Sequence, residues 1–598
     1  MNKGLALQQN KVFSSYGGVC SMIDTIEDLS MMVLPFDEWG HLYSNVCTGR
    51  RNDLLIDEPR LLSRIRSLGF KKLDGFFRPD TSLDEEPNFK PYNPNVNEKA
   101  RMIATQYFPR WFFCPKCHQF MSFDEWKDQW DKKFPTDGKF DNYAPACCHC
   151  AEKRVNSRPK VRQTRFVMAS METGEICDIP WRKIFNKQGS TDSKKGHQVW
   201  EFDENSPECK TVKLLTSSAS TTLARIFIEN EHGKRVSMAE IFSHYIVMRE
   251  GGKTVGVFKP VVSSDNNVYY AYNLNCIYIP QYLPKQEDVD TIKRFCDNNI
   301  SDPTLIKTLA QGQLSCSIED IKKIIDNGFK IEIPTYDSEE KFRIEEFDFI
   351  TNPNNYVRGT FEDSDRRLIS HEYCFAGQKP KFIKDIYYQT RLNVTTAQIA
   401  YSRIDKISMQ SLPFWGGKNA EKPKLWYDRN IDDLRDVEVQ LHPTCSGKIE
   451  NIEKMPAFSS FGEGFLVEMN IDYIPEGKRH EFMHTFCHLL MKEMEFVCGY
   501  PISSMSERIY CIPSDKKYGF LIYSVGGASG SYGGISSLFT SGNIEQIIED
   551  VMLLAEDCSN DPICKAEGGS CFGCVQIPET TCEEFNNSLS RNTFNAYK

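Results

Sequence analysis

The sequence predicts an α+β multidomain fold. Its expected parts are an N-terminal zinc-ribbon-like module, a β-rich middle, a helical segment and a C-terminal α/β domain closed by a four-cysteine zinc site. Three observations predict it. Cysteines pair in CxxC knuckles at two distant places, Cys114/Cys117 with Cys147/Cys150, and Cys571/Cys574. Short β-branched and aromatic runs bounded by turn residues fill 164–285. Beyond 286, apolar residues recur at helical spacing.

Size and composition bound what such a chain can do. Its 598 residues suit about three to five domains. No apolar run approaches the roughly 20 residues that span a bilayer, so no membrane role is expected. The opening stretch MNKGLALQQNKVFSSYGG has no continuous apolar core of a signal peptide. Twenty-two cysteines without such a signal point to a reducing compartment, with metal sites and buried thiols rather than a disulfide scaffold. A net charge of −10 argues against general coating of nucleic acid and leaves room for a local basic groove.

Taken in order, IDEPRLLSRIRSLGF (56–70) predicts a short helix with Leu61, Leu62, Ile65 and Leu68 on one face and Arg60, Arg64 and Arg66 on the other. Pro87, Pro91 and Pro94 mark an extended linker. Cys114, Cys117, Cys147 and Cys150 then form two knuckles about thirty residues apart, a spacing suited to one tetrahedral ion. Cys148 lies inside the second knuckle at poorer spacing. The following span carries Lys153, Arg154, Arg158, Lys160, Arg162 and Arg165 with Glu152 as its acid. It reads either as a phosphate-contacting arm or as a solvated linker.

Strands are expected at 164–169, 223–228, 244–248, 254–258 and 276–280. Glu250-Gly-Gly-Lys-Thr254 superficially matches a phosphate loop, but Val247 stands where the pattern needs glycine, so a hairpin turn at Gly251-Gly252 is expected. No other nucleotide-binding loop is found, which predicts a chain that is not a motor by itself. Helices are expected near 286–299, 303–312 and 317–327, a long one over 479–497 stopped by Gly499, and one over 543–556.

In the long helix, His484 and His488 are four apart and share a face, with Glu495 continuing roughly along it. That spacing can bind a metal, but Thr485 stands where a metalloprotease motif has its glutamate. Packing histidines are the plainer reading. The glycine-rich 526–534 follows a strand and serves either phosphate contact or flexible connection. At the end, Cys558, Cys564, Cys571, Cys574 and Cys582 fall within 25 residues. Cys558 and Cys564 could complete a site begun by Cys571 and Cys574. The spacing leaves open whether Cys582 replaces one of them.

The stretches SSYGGVCSMID, IDEPRLLSRI, FPRWFFCPKC, RFV with DIPW (178–181), FGEGFLVEM, HTFCHLLMKEMEFVCGY, SERIY, LIYSVGGASGSYGG and CSNDPICKAEGGSCFGCVQIPETTCEEFNNSLSR occur in that order. Together they resemble the DrmB family of DISARM anti-phage defence subunits. The C-terminal stretches also resemble a domain fused to MrfA-type superfamily 2 helicases. The resemblance covers nearly the whole chain, more weakly over 286–440. It implies a cytoplasmic bacterial or archaeal protein that partners a DrmA-like helicase subunit and engages DNA without catalysis of its own. It also implies two structural Zn2+ ions, one on Cys114, Cys117, Cys147 and Cys150 and one on Cys558, Cys564, Cys571 and Cys574. One departure stands out: related chains carry further Cys/His pairs after the RFV strand, where this chain has only Cys177 and Cys209.

The domains then expected are 1–105, an N-terminal domain; 106–163, the zinc-ribbon-like module with its basic arm; 164–285, the β-rich domain; 286–435, a helical and mixed segment; and 436–598, a helicase-associated C-terminal zinc domain. The alternative function from the residues themselves is a metal-dependent hydrolase or nuclease using the His484/His488 helix.

Overall fold

The structure is a computed structural model, and it describes residues 13–14, 17–24, 29–80, 96–135, 145–151, 159–170, 172–187, 198–216, 222–265, 268–279, 286–310, 314, 316, 318–329, 336, 338–352, 368–404, 441–499, 501–525, 534–578 and 581–598. Helices and several sheets mix throughout, so the α+β class holds. The chain divides into two compact units. One comprises Met1–Ile56, Gly69–Leu274 and Thr396–Phe458, the other Asp57–Leu68, Asn275–Thr395 and Ser459–Lys598. No helix among the described residues is long and apolar enough to cross a membrane.

The first unit is built on antiparallel sheets. One runs Arg162–Gln163, Trp111–Phe113, Gln119–Ser122, Val212–Thr216, Ile226–Asn230, Arg235–Ser237. A second runs Ile176–Cys177, Phe166–Ala169, Lys253–Val262, Tyr245–Glu250, Val199–Asp203, with only its last pair parallel. The turn between Tyr245–Glu250 and Lys253–Val262 is the expected two-residue hairpin. Glu250 pairs with Lys253, and Gly251 and Gly252 have φ of 54° and 78°, values that side chains resist. Trp181, Trp200, Phe120, Phe202 and Ile246 pack in one core against these strands. Behind the strand at 111–113, helix Phe123–Lys133 starts on a capping box of Ser122 and Glu125 and buries Trp126 and Trp130.

In the second unit, Met505–Ile512 and Lys517–Val525 form a hairpin, and Lys517–Val525 pairs antiparallel with residues 462–468. The strands at 462–468 and Lys517–Val525 bury apolar side chains on both faces. Phe465, Val467, Phe520 and Ile522 pack toward the long helix Glu476–Cys498, against Phe482, Phe486 and Leu490. Leu466, Leu521, Tyr510 and Tyr523 pack on the opposite side with Phe347 and Ile350 of helix Glu339–Ile350. A strand covered on both faces reads as the continuous apolar run FLIYSV rather than as an alternation. The long helix ends at Gly499, whose φ of 71° is the left-handed cap expected of it.

Helix Pro59–Ser67 corrects the expectation of a polar arginine face: Arg60 is 1% and Arg64 7% exposed. Arg60 lies over the Phe342 ring, 4.6 Å from its centroid, and its guanidinium meets Glu345 at 2.8 Å and Glu346 at 3.4 Å. Glu346 is fully buried and also takes Arg508 Nε at 2.5 Å. Two guanidinium groups thus share one buried carboxylate. Removing that carboxylate leaves both cations facing a low-dielectric interior. Glu346→Ala should cost about 3–5 kcal/mol in denaturant unfolding of the second unit. A change under about 1 kcal/mol would show that the cluster is solvated.

Asp178, in the DIPW turn, accepts bonds from Arg110 N at 3.1 and 3.2 Å. Burial nonetheless raises its carboxyl from 3.8 to about 6, against the lowering effect of those bonds and of the Arg110 charge. The folded state therefore holds this proton more tightly than the unfolded chain. Its stabilising share is complete below pH 3.8 and is lost as pH rises through 6. Asp178→Asn should leave stability near pH 4 little changed and raise it by about 1–3 kcal/mol at pH 7, measured as unfolding free energy against pH.

Candidate metal centres

Cys114 follows the strand Trp111–Phe113 directly, and the chain doubles back at once. Cys114 N donates to Gln119 O at 3.0 Å and His118 N to Cys114 O at 2.8 Å. His118 takes φ of 61° to close this knuckle. The second knuckle repeats the device, with Ala151 N donating to Cys147 O at 3.1 Å and Cys150 N to Cys147 Sγ at 3.4 Å. Cys147 N is fixed by Pro159 O at 2.8 Å. The four sulfurs converge: Cys114 Sγ is 3.8 Å from Cys150 Sγ, and Cys117 Sγ is 3.7 Å from Cys147 Sγ. A disulfide would need about 2.05 Å. Metal–sulfur bonds of about 2.3 Å in a tetrahedron put sulfurs roughly 3.8 Å apart. The group fits one ion. Burial pushes the Cys114 thiol up, but the Cys117 and Lys116 amides and the neighbouring thiols outweigh it and hold it below its usual range. Cys148 stands outside the four and points to Gln129 Oε1 at 3.7 Å, while His149 Nε2 meets that same oxygen at 2.8 Å.

The C-terminal group forms in the same way. Cys558 Sγ lies 3.5 Å from Cys571 Sγ, Cys564 Sγ 3.6 Å from Cys574 Sγ, and Cys571 Sγ 3.6 Å from Cys574 Sγ. Gly568 and Gly569, at φ of 100° and 76°, turn the chain back onto the helix Arg591–Tyr597. A Cβ on Gly569 would meet the Arg591 Cβ at 3.1 Å. Arg591 Nη2 donates to both Asp561 carboxylate oxygens at 2.7 Å, and its Nη1 donates to Glu556 O at 2.9 Å. Asn560 Nδ2 donates to Cys571 Sγ at 3.3 Å. Burial raises Cys571, yet this bond and those with the other three thiols bring it down to about 6. Each of the two tetra-cysteine groups could hold a metal ion.

His484 and His488 do share one face of the long helix, and both are fully buried. Their partner is not Glu495, whose Oε1 accepts from Ile502 N at 3.2 Å. It is Glu507, from the strand Met505–Ile512, together with Cys582. The signal for Glu507 was present in SERIY: alternation with Met505 and Ile509 places this acid on a buried strand face. Nothing local pointed to Cys582. Cys177 and Cys209 join no such group among the described residues.

Of the basic arm, Lys153, Arg154 and Arg158 lie outside the described residues. Lys160, Arg162 and Arg165 line one cleft of about 550 Å3, with Phe113 and Pro115 beside the first knuckle. Lys160 and Arg162 are exposed; Arg165 pairs with Asp24 at 2.8 Å. The glycine-rich segment 526–533 also lies outside the described residues.

The chain is similar to the DISARM protein DrmB. In Bacillus paralicheniformis that protein is 34% identical over 172 residues, a match covering 25% of this chain and 29% of the relative. The chain therefore aligns with under a third of that relative's length. Residues 8–270 match a family described as a domain of unknown function, DUF8724. Among solved structures, the DUF1998 helicase MrfA bound to DNA aligns at 11% identity over 36% of this chain and 23% of the other, with a TM-score of 0.21. A score that low establishes no shared fold.

Each tetra-cysteine group should behave as a unit with its ion. Cys117→Ser and Cys571→Ser should each lower the bound metal by about one ion per chain and expose the local knuckle to proteolysis. Elemental analysis of the purified variants, with limited digestion, checks this. Unchanged metal content in both would exclude these sulfurs as ligands.

Proposed function

We propose that this chain is a non-catalytic, DNA-engaging subunit that partners a superfamily 2 helicase of the DrmA-like kind in a bacterial anti-phage defence complex. The observation that carries the reading is its 34% identity to the DISARM protein DrmB. In this reading each tetra-cysteine group holds a structural Zn2+. Four thiolates fill the tetrahedron and leave no position for a substrate, so the ions fix the fold. The DNA contact is assigned to the arm after Cys150. Lys160, Arg162 and Arg165 converge on one cleft, which suits a phosphate backbone better than three scattered cations would. In a chain of net charge −10 such a patch also focuses the field locally. The hydrolase alternative would need an open coordination position at the His484 helix. There Cys582, the most exposed of the four donors, is 6% exposed, which favours the subunit reading.

The test is binding of a DNA duplex to the chain, alone and with its co-purified helicase, over a salt series. Replacing both Lys160 and Arg162 by Ala should weaken binding uniformly across sequences. It should also reduce the slope of log K against log salt by about 2, one for each lost phosphate contact. The purified chain should hydrolyse no ATP without its partner. An unchanged slope in the double variant would remove the cleft from the interface, and zinc-replete protein that never binds DNA in the complex would end the DNA reading.

A further inference from the structure

The buried group on the long helix is left over by the function proposed above. Glu507 Oε1 lies 3.0 Å from His484 Nε2, and Glu507 Oε2 lies 3.1 Å from His488 Nε2. Cys582 Sγ lies 3.4 Å from His484 Nε2. The four donor atoms fall within 4.8 Å of one another, and all four residues are buried.

Proton placement decides what this arrangement is. His488 Nδ1 sits 2.9 Å from Val575 O. A carbonyl oxygen only accepts, so Nδ1 carries the hydrogen, and Nε2 of the neutral ring presents a lone pair. That nitrogen makes no hydrogen bond; its 3.1 Å approach to Glu507 Oε2 is short but not directed as one. A buried lone pair beside a buried carboxylate oxygen is two acceptors face to face, which costs free energy unless a cation lies between them. Making both rings imidazolium instead would bury two positive charges against the Glu507 carboxylate, with only Glu584, 3.9 Å from His484 Nδ1, as a more distant second, and would still leave the Cys582 sulfur facing a cationic ring.

The sulfur points the same way. Cys582 Sγ accepts from Asn586 N at 3.1 Å and Glu584 N at 3.4 Å. Those amides are aimed by a turn in which Phe585 and Asn586 both take positive φ, 53° and 60°, an arrangement that side chains resist. Two amides aimed at one sulfur give a thiolate its hydrogen bonds, while burial and the Glu507 charge raise the free thiol well above its usual range, so the thiolate form needs a cation beside it.

We propose that His484, His488, Glu507 and Cys582 form a third metal centre, holding one divalent ion of the zinc class through two imidazole nitrogens, a carboxylate oxygen and a thiolate. The charges balance: two neutral rings, one carboxylate and one thiolate neutralise a dication, and the thiol proton leaves to solvent as the ion enters. Bonds of about 2.0–2.3 Å put tetrahedral N, O and S donors roughly 3.2–3.7 Å apart; the Cys582–His484 separation of 3.4 Å lies in that range, and the Glu507–histidine separations of 3.0 and 3.1 Å fall just short of it. The Val575 carbonyl orients His488 as backbone acceptors orient metal-bound imidazoles. With four protein donors the centre is structural, tying the helix Glu476–Cys498, the strand Met505–Ile512 and the C-terminal segment at one point.

Metal analysis of the intact full-length chain, purified without chelator, should give about three ions, against two for the cysteine groups alone. The double variant His488→Gln/Cys582→Ser should lose one. After cobalt exchange, its spectrum should keep only tetrathiolate bands, whereas the unaltered chain shows an additional, weaker thiolate band. Should the variant fail to fold, X-ray absorption at the metal edge of the unaltered chain decides. Nine sulfur, two imidazole nitrogen and one oxygen donor spread over three ions supports the centre. An all-sulfur shell with two ions overturns it, as does a folded double variant with undiminished metal.

Discussion

The second unit depends on one strand that carries a buried charge on each face. Met505–Ile512 lies at the middle of a layered arrangement, and successive side chains point opposite ways. Glu507 points to the long helix, where it meets His484, His488 and Cys487. Arg508, next to it, points to the other layer, where it meets Glu346 and Glu583. Neither charge can be left unpaired in so dry an interior. Each therefore dictates what the layer above or below must supply, and a one-residue slip of this strand would reverse both demands at once. The register of the unit is specified by electrostatics as much as by its apolar surface.

The same logic explains why the C-terminal segment from Cys558 onward, with little regular structure, is still well packed. Glu583 takes Arg343 at 2.9 Å and Ile509 N at 3.1 Å, and its own amide donates to Glu507. Arg591 reaches Asp561 and the end of helix Asn543–Leu554. Phe594 closes the core by stacking with Phe486, their centroids 5.6 Å apart and planes 12° from parallel. A loop-rich segment lacks the backbone ladders that hold a sheet, so side-chain clasps and sulfur ligands substitute for them.

What could be read before the fold was known follows the range of each interaction. The CxxC knuckles and the Gly251-Gly252 hairpin are local, set by residues within three of one another, and they form where the spacing put them. The long helix was equally legible, ending at Gly499 as expected. Its histidines were visible as a pair, but their partners come from residues 23 and 98 positions away, and no periodicity spans such a gap. Arg60 and Arg64 failed for a related reason. On a lone amphipathic helix they belong to the wet face; only the arrival of Glu339, Glu345 and Glu346, some 275–286 residues later, makes that face an interior.

These long-range pairings also separate what stabilises the chain from what it presents outward. Each four-donor cluster found among the described residues brings its donor atoms within 4.8 Å of one another, and an ion held by all four would have no open position. Chemistry at such places would have to break the architecture to proceed. The exposed cations beside the first knuckle are under no such constraint. Lys160 and Arg162 sit on the span that leaves the N-terminal metal group, where Cys147 N binds Pro159 O and Gln163 bonds to Pro109 O. The backbone beneath them is held rigidly while their side chains reach solvent. In the function proposed above, exposed cations on a backbone fixed at both ends are what contact with a phosphate backbone calls for. That fixed span ties the outward-facing site to the same sulfur clasp that defines the fold around it.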